Sequence, residues 1–514
     1  MSYLRKIFSN VPPLVTRRKN ASKLYLPSRF SSGVNKESLQ LSDKRQIRLQ
    51  KPSETFGQPT PVTHPHLLQK DELIQGITAE EIQGRRQRLL DNIQKYSYDL
   101  HKKHSSHLIV IPSASKKYMS DKIPYVFRQN TDFLYLSGCL EPDSVLVMTI
   151  DANKNTKSIL FMRPKDKHSE LWDGPRTGVE NAPNLFLVDE AFVVADLSKV
   201  VQKFGQIDFL WYDDTKSDQP SITETINSIV NSTTSKRTAA PTPFIHKQRV
   251  IKSESEIKLM RKTCQIASES INKTIETSKP GDSEHHIFAR VDYYCRMSGA
   301  SYLAYPPVVA SGLNATTIHY INNSQTTGST DLVLMDAGCE YGGYTSDITR
   351  TWPISGTFTQ PQLVLYEIVQ TVQKELIDVL LKDGGLSLDS LFDTMCLRLG
   401  IYLQEIGLVR KGLVGMELAR AAYTYCPHHV SHYLGMDVHD TSTISRGIHL
   451  QPGMVCTVEP GVYISHDRKD VPEEFRGIGI RIEDDVLIAS DNKVEVLTEK
   501  CVKDPKLLTR KIIS

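Results

Sequence analysis

Five residues of metal-ligand type stand in or beside strand-like stretches in the second half of this chain: Asp336, Asp347, His432, Glu459 and Glu483. Four carboxylates with one imidazole suit hard divalent ions such as Mn²⁺ or Mg²⁺, and Co²⁺ or Zn²⁺ would also be accommodated. Four carboxylates exceed what one ion needs for charge balance; two ions bridged by carboxylate oxygens and a water would use them all. Asp336 and Asp347 lie symmetrically about a turn containing Gly342 and Gly343, between strand-like stretches 332–337 and 344–351. Simple hairpin pairing sets the two acids opposite each other on one face, with Cβ atoms roughly 5 Å apart. At an effective dielectric of about 20 they would repel by about 3 kcal/mol, so a cation or a shared proton is expected between them.

The remaining chemistry is in two short segments. Residues 427–440 carry His428, His429, His432 and His439, too many for all to be ligands, and His429 reads as a packed or solvated imidazole. Glu459 falls at the end of a strand, beside the turn at Pro460 and Gly461. Arg481 and Glu483 share a strand face by the period of two, which lets the guanidinium hold carboxylates and offset their charge. Asp484 faces the other way and reads as structural.

The elements that must position these groups are legible as patterns. Thr78 to Glu81 reads as a capping box for a helix carrying Ile82, Leu89, Leu90 and Ile93. Strand-like runs follow at 107–111, 144–150, 158–162, 191–195 and 207–212, an alternation that describes an α/β domain to about Phe244. Within it, 127–138 reads as a packed sheet edge and 170–176 as a rigid loop, in preference to a surface closing over another domain's cleft. A second capping box, Ser253 to Glu256, opens a long helix striped by Ile257, Met260, Cys264, Ala267, Ile271 and Ile275. A helix near 286–297, the apolar run 305–310, helices near 362–382 and 388–405, and strands at 454–464 and 478–489 complete the pattern. Helix–helix–hairpin thus occurs twice, with Asp336 and Asp347 on the first hairpin and Glu459 and Glu483 on the second.

Composition narrows the class. The 514 residues allow two or three domains, and 39% hydrophobic with 24% charged residues is ordinary for a globular protein. A net charge of +3 offers no electrostatic footprint for nucleic acid, and no apolar run reaches the length of a membrane span. Eight scattered cysteines without a C-x-x-C pair read as reduced thiols. The first 36 residues carry Arg5, Lys6, Arg17, Arg18, Lys19, Lys23, Arg29 and Lys36 and no acid, with Leu4, Ile7, Phe8 and Val11 on one helical face. That is the composition of a mitochondrial presequence, the alternative being a basic disordered tail with accidental periodicity. Residues 37–66 read as a polar linker.

Together, Asp336 and Asp347, the segment from His428 to Asp440, Thr457 to Tyr463 and Gly477 to Asp485 resemble the aminopeptidase P family. This is one of the pita-bread metallopeptidases, with prolidase and methionine aminopeptidase. Asp132 to Gly138 and Glu170 to Gly174 resemble its N-terminal domain. The resemblance implies an α/β, creatinase-like N-terminal domain at 70–245 and an α+β pita-bread catalytic domain at 250–500, with 1–50 as presequence and linker. It implies that Asp336 binds one metal, Asp347 and Glu483 bridge two, and His432 and Glu459 bind the second. It makes Glu459 the proton acceptor for the bridging water, has His319 and His439 steady the tetrahedral intermediate, and sets His428 on the substrate side. Tyr463 and Arg481 match supporting positions. Implied further are Mn²⁺ as the favoured ion, a homodimer built through the N-terminal domains, and removal of the first residue of a peptide whose second is proline. With the presequence, the mitochondrial, intermediate-cleaving type fits best: a matrix enzyme that also trims one residue from imported proteins. Prolidase-type dipeptidase activity and a non-catalytic pita-bread binding module are the alternatives, while methionine aminopeptidase lacks the large N-terminal domain.

Overall fold

A computed structural model describes residues 55–513, apart from 205–206, 217–218, 233–236, 383–385 and 490–492. The presequence expectation therefore lies outside the described residues. In the first half, a six-stranded mixed sheet runs in the order Thr238–Ala239, Phe209–Trp211, His107–Pro112, Val145–Ile150, Thr156–Met162, Glu190–Val193. Its central strands are buried on both faces, which is why they read as unbroken apolar runs rather than alternations. Ile109, Ile111, Leu146 and Met148 pack with Ile82, Leu89, Leu90 and Ile93 of helix Ala79–His101. The intervening Leu108, Val110, Val145 and Val147 pack with Leu197, Val200, Ile222 and Ile226 on the other face.

Helix starts follow the sequence with one difference. The box at Ser253 and Glu256 is complete and opens helix Glu254–Thr277. At Thr78 only half forms: its side chain accepts from the Glu81 N–H. The Glu81 carboxylate turns away to Arg85 at 2.9 Å and to the Ser253 hydroxyl at 2.8 Å, joining the two helix starts instead of closing its own. Residues 127–138 are not a sheet edge. They contain the short buried helix Thr131–Ser137, and Arg128 and Thr131 reach across to Asp437 in the second half. Much of 170–176 lies on helix Lys167–Asp173 rather than in a loop.

The second half opens with helices Glu254–Thr277 and Glu284–Met297, then the sheet Val308–Ser311, Leu332–Ala337, Ile348–Pro353. Helices Gln360–Lys382, Leu388–Glu405 and Gly415–Tyr423 lead into a second sheet, Val455–Val458, Asp484–Ile488, Val494–Val496, and a strand pair, Gly461–Tyr463 with Gly479–Arg481. The long strands expected at 454–464 and 478–489 are each broken in two, at Glu459–Pro460 and at Ile482–Glu483. The strand expected at 344–351 breaks at Ser346 and Asp347. Three of the four acids thus sit where a ladder is interrupted, leaving the backbone free to turn a carboxylate toward a common point. All eight cysteines are free and buried.

Candidate metal centre

Asp336 and Asp347 share a face but are not directly opposite. Gly342 and Gly343 both have positive φ, +59° and +81°, as a two-residue type I′ loop requires. That loop pairs Tyr341 with Tyr344, and the same register sets Asp336 opposite Thr349. Asp347, two residues before Thr349, is therefore the diagonal neighbour of Asp336. Gly338 is obligatory beside this break, since a Cβ there would lie 1.7 Å from the Ser346 carbonyl oxygen. The second pair is built alike. Residues 430–434 run antiparallel to Val455–Val458, with Thr457 N–H donating to His432 O at 3.0 Å and Glu459 N–H to Val430 O at 2.9 Å. His432 and Glu459 are again diagonal neighbours.

The two ribbons meet through strand Ile348–Pro353. Glu483 N–H donates to Thr349 O at 3.1 Å, and the Thr349 hydroxyl donates to Glu483 Oε2 at 2.6 Å. His432 Nε2 lies 3.4 Å from Asp347 Oδ2 and 3.6 Å from Glu459 Oε1. Donor atoms of Asp347, His432 and Glu483 all fall within 4.8 Å of one another. Asp336 joins through Tyr305, whose hydroxyl is 2.6 Å from Asp336 Oδ1 and 2.5 Å from Asp347 Oδ1. It joins also through Arg481, which donates to Asp336 Oδ2 at 2.6 Å, to Thr349 Oγ1 and to Tyr463 Oη. The structure thus brings Asp347, His432 and Glu483 into one cluster, with Glu459 against His432 and Asp336 tied in through Tyr305 and Arg481.

Electrostatics describe a cluster short of positive charge. Burial and the neighbouring acids push Glu483 well up, burial raises Asp336, and burial takes Glu459 to about 7 against the pull of His432 and Arg481. Asp347 is the exception: hydrogen bonding and charge from His432 outweigh its burial and hold it low. Burial works against a charged His432 as well, yet Asp347 and Glu459 raise its imidazole to about 9. A buried oxygen-rich set that its own cations do not neutralise fits hard divalent ions.

The remaining histidines divide by surroundings. His439 is exposed with its ring 4.5 Å from that of His432, edge to face. His319 is exposed, in a turn and not a strand, and close enough to act electrostatically on both His428 and His439. His428 Nδ1 is 2.9 Å from the His429 carbonyl, so it carries the proton, and Nε2 accepts from Tyr463 Oη at 3.0 Å. Burial, with Arg481 nearby, takes His428 down to about 4 and keeps it neutral. His429 stacks on Phe392 at 4.9 Å, a packed imidazole as expected. Asp484 faces away into a buried pair with Arg350 at 2.7 Å.

Comparison with known proteins decides the family. Residues 258–490 match the model of metallopeptidase family M24, and residues 82–208 that of the aminopeptidase P N-terminal domain. The chain is 40% identical to human Xaa-Pro aminopeptidase 3 over 474 residues, covering 91% of this chain and 92% of that one. It belongs to metallopeptidase family M24, in the aminopeptidase P branch. Within this branch it is also 38% identical to intermediate cleaving peptidase 55, mitochondrial, of Arabidopsis thaliana, covering 88% and 86% of the two chains. Proline aminopeptidase P II from Yersinia pestis superposes with a TM-score of 0.78 at 32% identity, over 85% of this chain and all of that one. The second half of this M24 chain is thus the pita-bread fold, and the first half the aminopeptidase P N-terminal domain. Members of M24 are metallopeptidases that use divalent metals, in agreement with the donor set.

Three residues of this M24 centre escaped the sequence reading. Tyr305 was absorbed into an apolar run. Thr349 and Asp485 each lie two residues beyond an acid and so on its face, a signal that was available. Asp485 Oδ2 accepts from the Asp347 N–H at 3.0 Å and from the Cys264 thiol at 3.2 Å, fixing the backbone of one acid from the strand of another.

Proposed function

We propose that this chain, an Xaa-Pro aminopeptidase by its family, works in mitochondria and that its site holds two divalent ions, with Mn²⁺ as the ion. The convergence of Asp336, Asp347, His432, Glu459 and Glu483 carries the reading. Asp336 would hold one ion, His432 and Glu459 the other, with Asp347 and Glu483 shared. When bound, the ions supply Lewis acidity and an activated water at neutral pH.

The chain's own groups supply the rest. Glu459, whose Oε1 lies 3.6 Å from His432 Nε2, is the carboxylate this reading assigns to take the proton of the attacking water and return it to the leaving nitrogen. With proline second, that nitrogen belongs to a tertiary amide without an N–H, and it departs only once protonated. His319 and His439, exposed on the open side, steady the developing oxyanion. His428, held neutral and oriented by Tyr463, faces the substrate, and Arg481 holds Asp336 and Tyr463 in register.

In this reading 1–50 is presequence and linker, 70–245 the N-terminal domain and 250–500 the catalytic domain. The enzyme works in the matrix as a homodimer, trimming one residue from imported proteins besides cleaving Xaa-Pro peptides. The name of the Arabidopsis relative supports the location. Import of a reporter carrying residues 1–50 into isolated mitochondria, to a protease-protected position, checks it. Alanine at Asp347 should abolish metal-dependent release of the first residue from an Xaa-Pro tripeptide. Retained turnover would refute the centre, and activity on dipeptides alone would refute the aminopeptidase in favour of a dipeptidase.

A further inference from the structure

A second set of charges, buried except for the partly exposed Asp437, ties the histidine segment to the rest of the chain, and none of its members is one of the five candidate ligands. Arg249, at the end of helix Thr242–Arg249 between the two halves, is 2% exposed. Its Nη1 donates to Asp132 Oδ1 at 2.6 Å. Its Nη2 donates to Asp437 Oδ2 at 2.8 Å and also to Asp440 Oδ1. Lys252 Nζ takes the other oxygen of Asp440 at 3.2 Å. From the N-terminal half, the Thr131 hydroxyl donates to Asp437 Oδ1 at 2.7 Å and Arg128 Nη2 to Met436 O at 2.7 Å.

Asp437 and Asp440 flank His439 in the chain. The Asp440 N–H also donates to Tyr433 O at 2.9 Å, closing the turn that starts beside His432. The turn is wound tightly on that carboxylate: a Cβ on Gly435 would lie 2.5 Å from Asp440 Oδ2. One guanidinium therefore joins a residue of the N-terminal half to both acids bracketing His439. Burying such charges costs several kcal/mol per ion, and apolar residues of similar volume would join two halves at least as firmly. What directional ion pairs add is a single fixed register.

We propose that Arg249 is a positioning residue, which through Asp437 and Asp440 sets His439 over His432 and through Asp132 makes that placement depend on the N-terminal domain. The inference rests on His439 facing the scissile carbonyl. A misplacement of about 1 Å in a reacting group costs up to roughly 100-fold in rate.

The test uses the full-length, metal-loaded enzyme and an Xaa-Pro tripeptide. Asp132→Asn should lower kcat roughly 10- to 100-fold while KM and bound metal stay unchanged. Asp437→Asn, at a more exposed position, should do the same and serves if Asp132→Asn does not fold. In a His439→Ala background either change should cost less than about twofold, because residues acting through one group are not additive. Losses that multiply in the double variants, or a change confined to KM, would overturn the positioning role alone. A fully active His439→Ala enzyme would overturn both that role and the assignment of His439 on which it rests.

Discussion

The Thr349 hydroxyl donates to Glu483 Oε2 at 2.6 Å while accepting from Arg481 Nε at 3.0 Å, so a group that binds no ion orients one acid and one cation of the centre. Such outer partners set ligand direction and basicity, and losing one typically costs 10- to 100-fold in metal affinity. Thr349→Val should therefore weaken divalent-ion binding by about that factor in a calorimetric titration while circular dichroism stays unchanged; full affinity would show that Glu483 orients itself. Tyr305, with its hydroxyl between Asp336 and Asp347, is a second such group. At this level the candidate ligands were legible in the sequence because charged residues in or beside strands are conspicuous. Their partners drew no notice because a threonine in a strand, or a tyrosine beside an apolar run, is ordinary even where the period of two puts it on an acid's face. Tyr305 is brought to the acids by the sheet Val308–Ser311, Leu332–Ala337, Ile348–Pro353, which no local pattern reveals.

The hairpin that carries Asp336 and Asp347 depends on its glycines in two different ways. At Gly338 any Cβ meets the Ser346 carbonyl at 1.7 Å, a backbone atom that cannot step aside. At Gly343 the nearest neighbour would be a Leu134 methyl at 3.3 Å, and the cost comes from φ of +81°. Gly338→Ala should therefore destabilise the protein by about 3 kcal/mol or more, and Gly343→Ala by only about 1–2 kcal/mol. Thermal unfolding of the two variants separates them, and equal shifts would contradict the register described. Helix Leu388–Glu405 and strand Leu332–Ala337 have the bounds their periodicity implies. Thr131–Ser137 was missed because seven residues are too few for a helical period to declare itself. The break at Glu459–Pro460 was signalled by the turn residues Pro460 and Gly461, whereas the one at Ile482–Glu483 was missed because no turn residue marks it. The need to aim a carboxylate, a tertiary requirement, interrupts the ladder.

Across the whole molecule, the charges around Arg249 tie the N-terminal half to the histidine segment, and they give the join a pH dependence. Burial alone would raise the Asp437 carboxyl, but Arg249 and Arg128 outweigh it and hold it at about 2, below the ordinary aspartate value near 3.9. A carboxyl depressed in the folded state stabilises the fold above its unfolded pKa and loses that contribution as pH falls through its folded one. Stability should thus decline from about pH 4 toward pH 2, and the decline should be shallower in Asp437→Asn when unfolding is followed at each pH. Two halves were anticipated from the change of pattern near Phe244; the charges joining them were not, because their members lie as far apart as Asp132 and Asp440. The proposed meeting of five side chains from two ribbons at one metal centre is tested most directly by counting metal. Purified chain dialysed against Mn²⁺ should retain two ions per molecule, with Xaa-Pro hydrolysis rising as they bind, and Asp347→Ala should lose both the ions and the activity. Binding of two ions and hydrolysis that both survive the loss of Asp347 would contradict the account.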